Sequence, residues 1–316
     1  MALSLRRGTV TRIVERVPGL VRLEVDGIPC VAYRRLTGDV EVGDDVVVNE
    51  GARLLELGSG GFDVLYANLT RGLGLPQEDD AHVMALPYTP AQLALRRVEE
   101  DGELPASLAG LPVVLCTLHS QVAPVCAALA GLRVAYVQVA GGALPVSLSD
   151  TIRVLGERGL VGGTAAVAPC LDADVECVTA AAALAWAARE RFQVAVCALG
   201  PGIVGTGSRL GHGALAVADV ANAAVAMGGR PVLAVRESEA DPRERHRGVS
   251  HHVAAVLDLC LGNVVVARAD DVDTAGWREA CAGLPLSHMG RGPDEDAAFF
   301  RSAHAAGIVA RGMLDA

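Results

Sequence analysis

Between Arg236 and His252 the chain reads RESEADPRERHRGVSHH, which places Asp241, Arg243, Arg245, His246, Arg247, Ser250, His251 and His252 within twelve positions. Guanidinium forks suit bidentate capture of a phosphate or carboxylate, and Ser250 adds a hydroxyl. The same stretch could instead ligate a divalent metal through Asp241, His246 and one of His251 and His252. Adjacent histidines near a helix start point in different directions, so one of that pair is expected to face a ligand. The competing reading is a solvated, self-paired loop, since four arginines here meet four acids.

A second segment, GPGIVGTGSRLGHG, begins at Gly200 and matches G-x-G-x-x-G at Gly200, Gly202 and Gly205. That pattern lets a pyrophosphate approach backbone N–H groups ahead of a helix. Here Gly207, Gly211 and Gly213 delay the helix, and the next strand ends at Arg236-Glu237, farther on than the usual acidic residue about 20 positions downstream. The loop therefore reads as an anion cradle built from Gly200, Gly202, Gly205, Thr206 and Gly207, or as a structural glycine turn. Ser208, Arg209 and His212 could add donors.

His119, in TLHSQ, joins His246 and His252 as an acid/base candidate. Ser120 reads as a helix cap or as a nucleophile meeting a distant histidine. Asp172, Asp174 and Glu176 are expected at a helix N-terminus, where the dipole favours acids. Asp174 or Glu176 could orient an imidazole or bind a metal.

These groups need a frame. From about Gly8 to Asn68, short segments with alternation or β-branched residues are separated by Gly19, Gly27, Gly38 and Gly43, and VEVGDDVVVN reads strand–turn–strand. They predict a small barrel-like domain over residues 1–69, then a polar linker over 70–81. Residues 82–316 are expected to form an α/β domain carrying the site. Thr89-Pro90-Ala91-Gln92 predicts a helix start. Six apolar runs follow (PVVLC, RVAYVQV, TAAVA, QVAVCAL, PVLAV and NVVVA), alternating with helical patterns near 122–130, 150–158, 175–191, 214–227 and 253–261. The fold class is α/β: a mainly parallel sheet with helices on both faces, preceded by the small β domain. Ligands of such sheets bind beyond the carboxyl ends of the strands, where the segments above would gather.

Composition narrows the chemistry. The chain has 316 residues, 51% of them hydrophobic and 20% charged, which suits a globular protein with ample core. A net charge of -10 disfavours general affinity for nucleic acid or anionic membrane. The barrel segment, with six arginines against ten acids and few aromatics, suits pairing in a homo-oligomer better than nucleic-acid binding. The apolar stretch from Val178 to Ala188 is far shorter than the roughly 20 residues of a membrane span. The N-terminus lacks a secretory signal's apolar core, and eight cysteines occur without a C-x-x-C pair. A cytoplasmic protein with reduced, buried thiols is expected. There is no lysine at all, which excludes pyridoxal phosphate held by a lysine Schiff base and a P-loop lysine.

GPGIVGTGSRLGHG, DPRERHRGVSHH, VEVGDDVVVN and TLHSQVAP together resemble the bacterial proteins grouped as domain of unknown function 3866, from about Gly8 to beyond His252. The resemblance implies a stand-alone bacterial protein and brings no established activity. It also implies a Gly/Phe-rich turn ending Gly-Asp-x-Glu; Asp174 and Glu176 match its acids, while APCLDA stands where the rest of the turn would be.

The leading expectation is an enzyme or ligand-binding protein for a phosphorylated or carboxylated small molecule. In it the Gly200 loop cradles the anion, Arg243, Arg245 and Arg247 supply charge, and His119, His246 and His252 move protons. A metal-dependent hydrolase and a non-catalytic sensor or assembly protein are the alternatives.

Overall fold

The computed structural model describes residues 3–56, 60–76 and 78–315, in two compact units, Met1–Arg96 and Arg97–Ala316. The first is built around a closed barrel of β1 (Leu5–Val17), β2 (Leu20–Val25), β3 (Ile28–Tyr33), β4 (Asp45–Asn49) and β5 (Asp63–Asn68), in the order β1-β2-β3-β5-β4. Two helical turns, α1 (Arg34–Thr37) and α2 (Gly51–Leu54), sit in its connections. Alternation does the sorting: Val21, Leu23 and Val25 point inward with Val10, Cys30, Val46, Val48 and Leu65. The expected strand–turn–strand at VEVGDDVVVN is half realised. Gly43 turns at φ 93° and β4 follows, but Val40–Val42 form no strand.

The helix expected at Thr89 does not form. Its hydroxyl donates to the Leu86 carbonyl, 2.8 Å, instead of accepting from the backbone N–H groups a helix would leave free. The chain turns there and joins β6 (Val83–Ala85) to β7 (Leu93–Leu95) as an antiparallel pair.

The second unit carries a seven-stranded parallel sheet. Its strands are β8 (Pro112–Cys116), β9 (Val134–Val139), β10 (Gly163–Val167), β11 (Val175–Cys177), β12 (Val194–Leu199), β13 (Arg230–Ala234) and β16 (Val265–Ala267). A two-stranded ribbon of β14 (Glu237–Ser238) and β15 (Gly248–Val249) lies between β13 and β16 in the chain. The helices of this unit are α3 (Val122–Ala128), α4 (Asp150–Glu157), α5 (Ala180–Arg189), α6 (Ala216–Ala226), α7 (His251–Leu257), α8 (Trp277–Ala280) and α9 (Ala297–Gly312). The six predicted apolar runs are all strands of this sheet. Its side chains alternate between two apolar clusters. Val114, Tyr136, Val196 and Val232 pack with residues of α3 and α9, such as Val125 and Phe299. Val113, Val137, Cys197 and Leu233 pack with residues of α5 and α6, such as Leu184 and Val220. No described helix is long and apolar enough to cross a membrane.

The strand order is β11-β10-β9-β12-β8-β13-β16. After β8 the chain runs to β9 on one side; after β12 it runs to β13 on the other. The carboxyl ends of β12, β8 and β13 are therefore neighbours whose connections diverge, the arrangement that opens a crevice in such sheets. Gln121 ties the crevice floor together: its amide donates to the carbonyls of Ala234 and Val235, 3.1 Å each, and its oxygen accepts from Leu118 N at 3.1 Å.

Candidate functional site

The connection after β13 enters directly on Arg236, which is 2% exposed. The ribbon of β14 and β15 then folds the segment back, so that Ser250 N donates to the Arg236 carbonyl at 2.8 Å. Ser250 caps α7, accepting from His252 N, and its hydroxyl lies 2.7 Å from His246 Nδ1. This places His251 and His252 at the start of α7, above Arg236.

Four histidines meet there. His212, at the end of the Gly200 loop, stacks on His252 with centroids 3.7 Å apart and planes 16° from parallel. His251 lies 5.7 Å from His212 and 4.9 Å from His246, and His246 lies 4.9 Å from His252. Arg236 donates through Nη1 to His252 Nδ1 at 3.0 Å. Both ring nitrogens of His212 and Nε2 of His251 are buried without a hydrogen-bond partner.

Next to the histidines, three guanidinium groups converge on one carboxylate. Arg243 holds Asp241 bidentately, Nε to Oδ1 at 2.9 Å and Nη2 to Oδ2 at 2.8 Å. Arg236 and Arg291 each reach the same Oδ2 at 3.7 Å. Arg291 also pairs with Asp296 at 3.2 Å, and Ser238 donates to that carboxylate at 2.6 Å. Three cations thus face two anions in a largely buried setting. Arg236 Nε and Arg291 Nη2 are buried without hydrogen bonds.

This imbalance sets the protonation states. Burial and the neighbouring arginines push His246 down to about 3 and His288 down to about 3. His212, His251 and His252 are lowered too, chiefly by burial. Burial alone would raise the Asp241 carboxyl, but Arg243 brings it well below the usual range. Arg236 is pushed down to about 10 by burial and by Arg243. At neutral pH the positive charge is carried by arginine alone, and the imidazoles are neutral donors and acceptors.

His119 belongs to a separate chain of bonds. Its Nδ1 faces the Leu199 carbonyl at 3.3 Å, so Nδ1 carries the proton and Nε2 accepts from the Ser149 hydroxyl at 2.7 Å. Tyr136 lies 3.4 Å from the same Nδ1 and donates to Gln138, which holds the carbonyls of Ala143 and Leu144. Burial lowers His119 to about 4. The set fixes the loops after β9 and β12, and Ser149 also caps α4. Ser120 points the other way, 3.5 Å from Nδ1 of His288, whose ring stacks on Phe299 at 3.7 Å.

Asp174 and Glu176 are not brought to this edge. Their segment forms the outermost strand β11, not a helix start, and the helix begins only at Ala180. Asp174 precedes β11, level with Thr164 early in β10, and accepts from Thr164 N at 2.8 Å. At about 3.3 Å per residue that level lies on the order of 13 Å below the crevice, with about three strand spacings of 4.8 Å sideways. Glu176 is buried against Arg97, 3.6 Å away. Asp241 and Asp296 are the carboxylates of the site.

Of the expected metal ligands Asp241, His246 and His251, the first is chelated by Arg243. The described residues whose ligand atoms do converge are His212, His251 and His252, all within 4.8 Å of one another. In the glycine loop, Gly200 and Gly213 serve close backbone packing: a Cβ at Gly200 would meet the Ala143 carbonyl at 2.1 Å, and one at Gly213 the Gly141 carbonyl at 2.1 Å. Gly202 turns at φ 72°. Gly205 packs on His212, and Thr206 bonds Ser208 and the Gly211 carbonyl. Arg209 is taken by Asp258. Gly207 faces the Arg245 guanidinium, 4.0 Å from a Cβ placed there. Arg245 and Arg247 are exposed and form no ion pair among the described residues.

Arg291, His288 and Asp296 were outside the sequence reading. They arrive from SHMGRGPDED, a segment without periodicity, whose only signal was a His and an Arg three residues apart. A groove of about 660 Å³ opens at the opposite, amino edge, lined by Pro105, Leu108, Pro112, Phe192 and Arg230 among others. No histidine lines it, and its Arg230 is bonded to the Gly110 carbonyl.

No curated protein matches the chain. A family model described as "Protein of unknown function (DUF3866)" matches residues 29–280, spanning the barrel strands from β3 onward and the sheet with its crevice, and the chain belongs to that family.

Proposed function

We propose that this protein binds a phosphorylated or carboxylated small molecule in the crevice beyond β12, β8 and β13, on a sheet covered by helices on both faces. One observation carries the reading: three guanidinium groups, Arg236, Arg243 and Arg291, share two carboxylates, and two of their nitrogens are buried without a hydrogen bond. A ligand oxyanion would balance the excess cation and accept those donors. Arg245, beside Gly207, and Arg247 extend the positive surface outward. The Gly200 loop then forms a rim, with Gly202, Gly205, Thr206 and Gly207 lining the approach and Gly200 setting the loop's path. Ser250 orients His246.

The site would be enzyme-like in one respect: a bound anion would offset the arginine charges that add to burial in suppressing His246 and His252. Their basicity would recover toward the ordinary imidazole value only with ligand in place. His119 stands in the adjoining crevice wall with a fixed tautomer.

Calorimetric titration of the chelator-treated full chain with inorganic phosphate, pyrophosphate and citrate tests this. Saturable binding that weakens with added salt, and that falls at least about tenfold in Arg243→Ala, is the expected result. Absence of binding by all three anions overturns the proposal.

A further inference from the structure

The arginine cluster does not account for the imidazoles beside it. Ligand-competent atoms of His212, His251 and His252 lie within 4.8 Å of one another, though the residues come from two separate segments. His212 is held by its backbone, in a bridge to Gly205 and through Gly213 N to the Val204 carbonyl at 2.8 Å. It is 7% exposed, yet neither ring nitrogen has a hydrogen-bond partner, and Nε2 of His251 shares that condition. Burying a polar group without a partner costs stability that a ligand contact would recover. A neutral ring has one lone pair, so these three nitrogens, two of them on His212, can offer one lone pair from His212 and one from His251 to an electrophile.

We propose that His212, His251 and His252 form a binding site for a borderline transition-metal dication, zinc above all. Three neutral imidazoles with no carboxylate among them suit zinc, cobalt, nickel or copper and are a poor match for magnesium or calcium. Three protein ligands leave a fourth position for water or an anion. The metal site goes beyond the anion reading and stands without it.

Loading requires two local changes. Zinc–nitrogen bonds of about 2.0–2.1 Å need the ligand atoms closer together than the 4.8 Å limit that bounds them here. The His212 and His252 planes, 16° apart, cannot both contain one metal, so one ring must turn. His212 is the freer ring, since its turn gives up at most a weak contact with the Arg209 backbone. Arg236 Nη1 donates to His252 Nδ1, which places the neutral ring's proton on Nε2. Ligation through Nε2 moves that proton to Nδ1 and displaces Arg236, with no net proton released. The displaced guanidinium stays beside Asp241, whose charge offsets the repulsion between Arg236 and the dication.

The test uses the full chain stripped with EDTA and titrated with zinc chloride in phosphate-free buffer, with cobalt(II) as a spectroscopic substitute. One zinc per chain is expected, and four-coordinate cobalt should show its visible d–d bands. His212→Gln and His251→Gln should each weaken zinc binding at least about tenfold, given that loss of outer-shell partners alone costs about 10–100-fold. His82→Gln, an exposed histidine of the other unit, should bind as the unaltered chain does. Should His212→Gln fail to fold by circular dichroism, the half-buried His251 carries the test alone. Absence of saturable zinc binding, or unchanged affinity in the folded variants, overturns the site. Phosphate binding measured in EDTA is a separate readout, and its failure would overturn the anion reading only.

Discussion

Arg236 donates from Nη1 to Nδ1 of His252 at 3.0 Å, so a cation that is 2% exposed rests on a neutral ring, not on a carboxylate. Its nearest acid, Asp241, is 3.7 Å away and already chelated by Arg243. Arg236 is thus the least compensated of the three guanidiniums. Replacing it with methionine should remove a surplus charge more than a needed partner. Loss of a cation already short of anions leaves no carboxylate unpaired, and the cost is that of leaving His252 Nδ1 without its donor. Arg236→Met is expected to lose about 1–3 kcal/mol while phosphate binding falls at least about tenfold. Asp241→Asn should cost more, about 3–5 kcal/mol, because three cations lose their shared anion. Urea unfolding of both variants, alongside phosphate titration, checks the pair; similar destabilisation by both would refute this charge accounting.

Anion binding should take up protons. His246 is held down to about 3 by burial together with Arg236 and Arg243, and His288 down to about 3 by burial together with Arg236, Arg291 and Arg243, with Asp241 opposing in both. A bound oxyanion cancels part of that field and raises both rings toward about 6.5. Ligand therefore binds with protons wherever the pH lies between the free and bound values, and affinity rises as pH falls from 7 toward 5. Calorimetry in two buffers of different ionisation enthalpy measures the uptake. A proton count of zero at pH 5.5 would contradict it.

How much of this was readable beforehand follows from what local pattern can encode. The barrel's alternation, as at Val21, Leu23 and Val25, and the buried runs such as VAVCAL carry their own period, so both sheets were visible. The clustering of Arg243, His246, Ser250 and His252 was visible because one short segment holds them. Arg291 and His288 were not, because they reach Asp241 through a stretch with neither period nor motif. Asp174 misled for a related reason: an acid after an apolar run looks the same whether the chain next enters a helix or a three-residue edge strand. Thr89 shows the limit of capping signals, since its hydroxyl found a carbonyl within its own turn.

Stability should fall in mild acid. His119, His246 and His288 have folded-state values of about 4, 3 and 3, against about 6.5 when unfolded. Between those limits the unfolded chain binds more protons, so folding stability is intact above about pH 6.5 and is lost progressively as pH drops toward 4. Scanning calorimetry should show Tm falling steadily over that window. His288→Gln should flatten the dependence by up to about 1.4 kcal/mol per pH unit, the share of one titrating ring. A Tm independent of pH from 7 to 4.5 would show that these rings titrate normally.

Two glycines of one loop should respond differently to the same substitution. A Cβ on Gly200 would lie 2.1 Å from the Ala143 carbonyl, a backbone atom that cannot turn aside, and 3.0 Å from Gln138 Nε2. Gly200→Ala should therefore cost at least about 2 kcal/mol, the range seen for overpacked sites, and should disturb the loops that Gln138 and His119 hold. A Cβ on Gly207 meets only the tip of Arg245, at 4.0 Å, and its φ lies outside the left-handed region. Gly207→Ala should stay within about 0.5 kcal/mol in stability. Because that methyl faces the guanidinium at the outer rim, a drop in phosphate affinity without loss of Tm would assign Gly207 and Arg245 to ligand approach. Unchanged affinity would confine the anion to Arg236, Arg243 and Arg291 and leave the loop as scaffold.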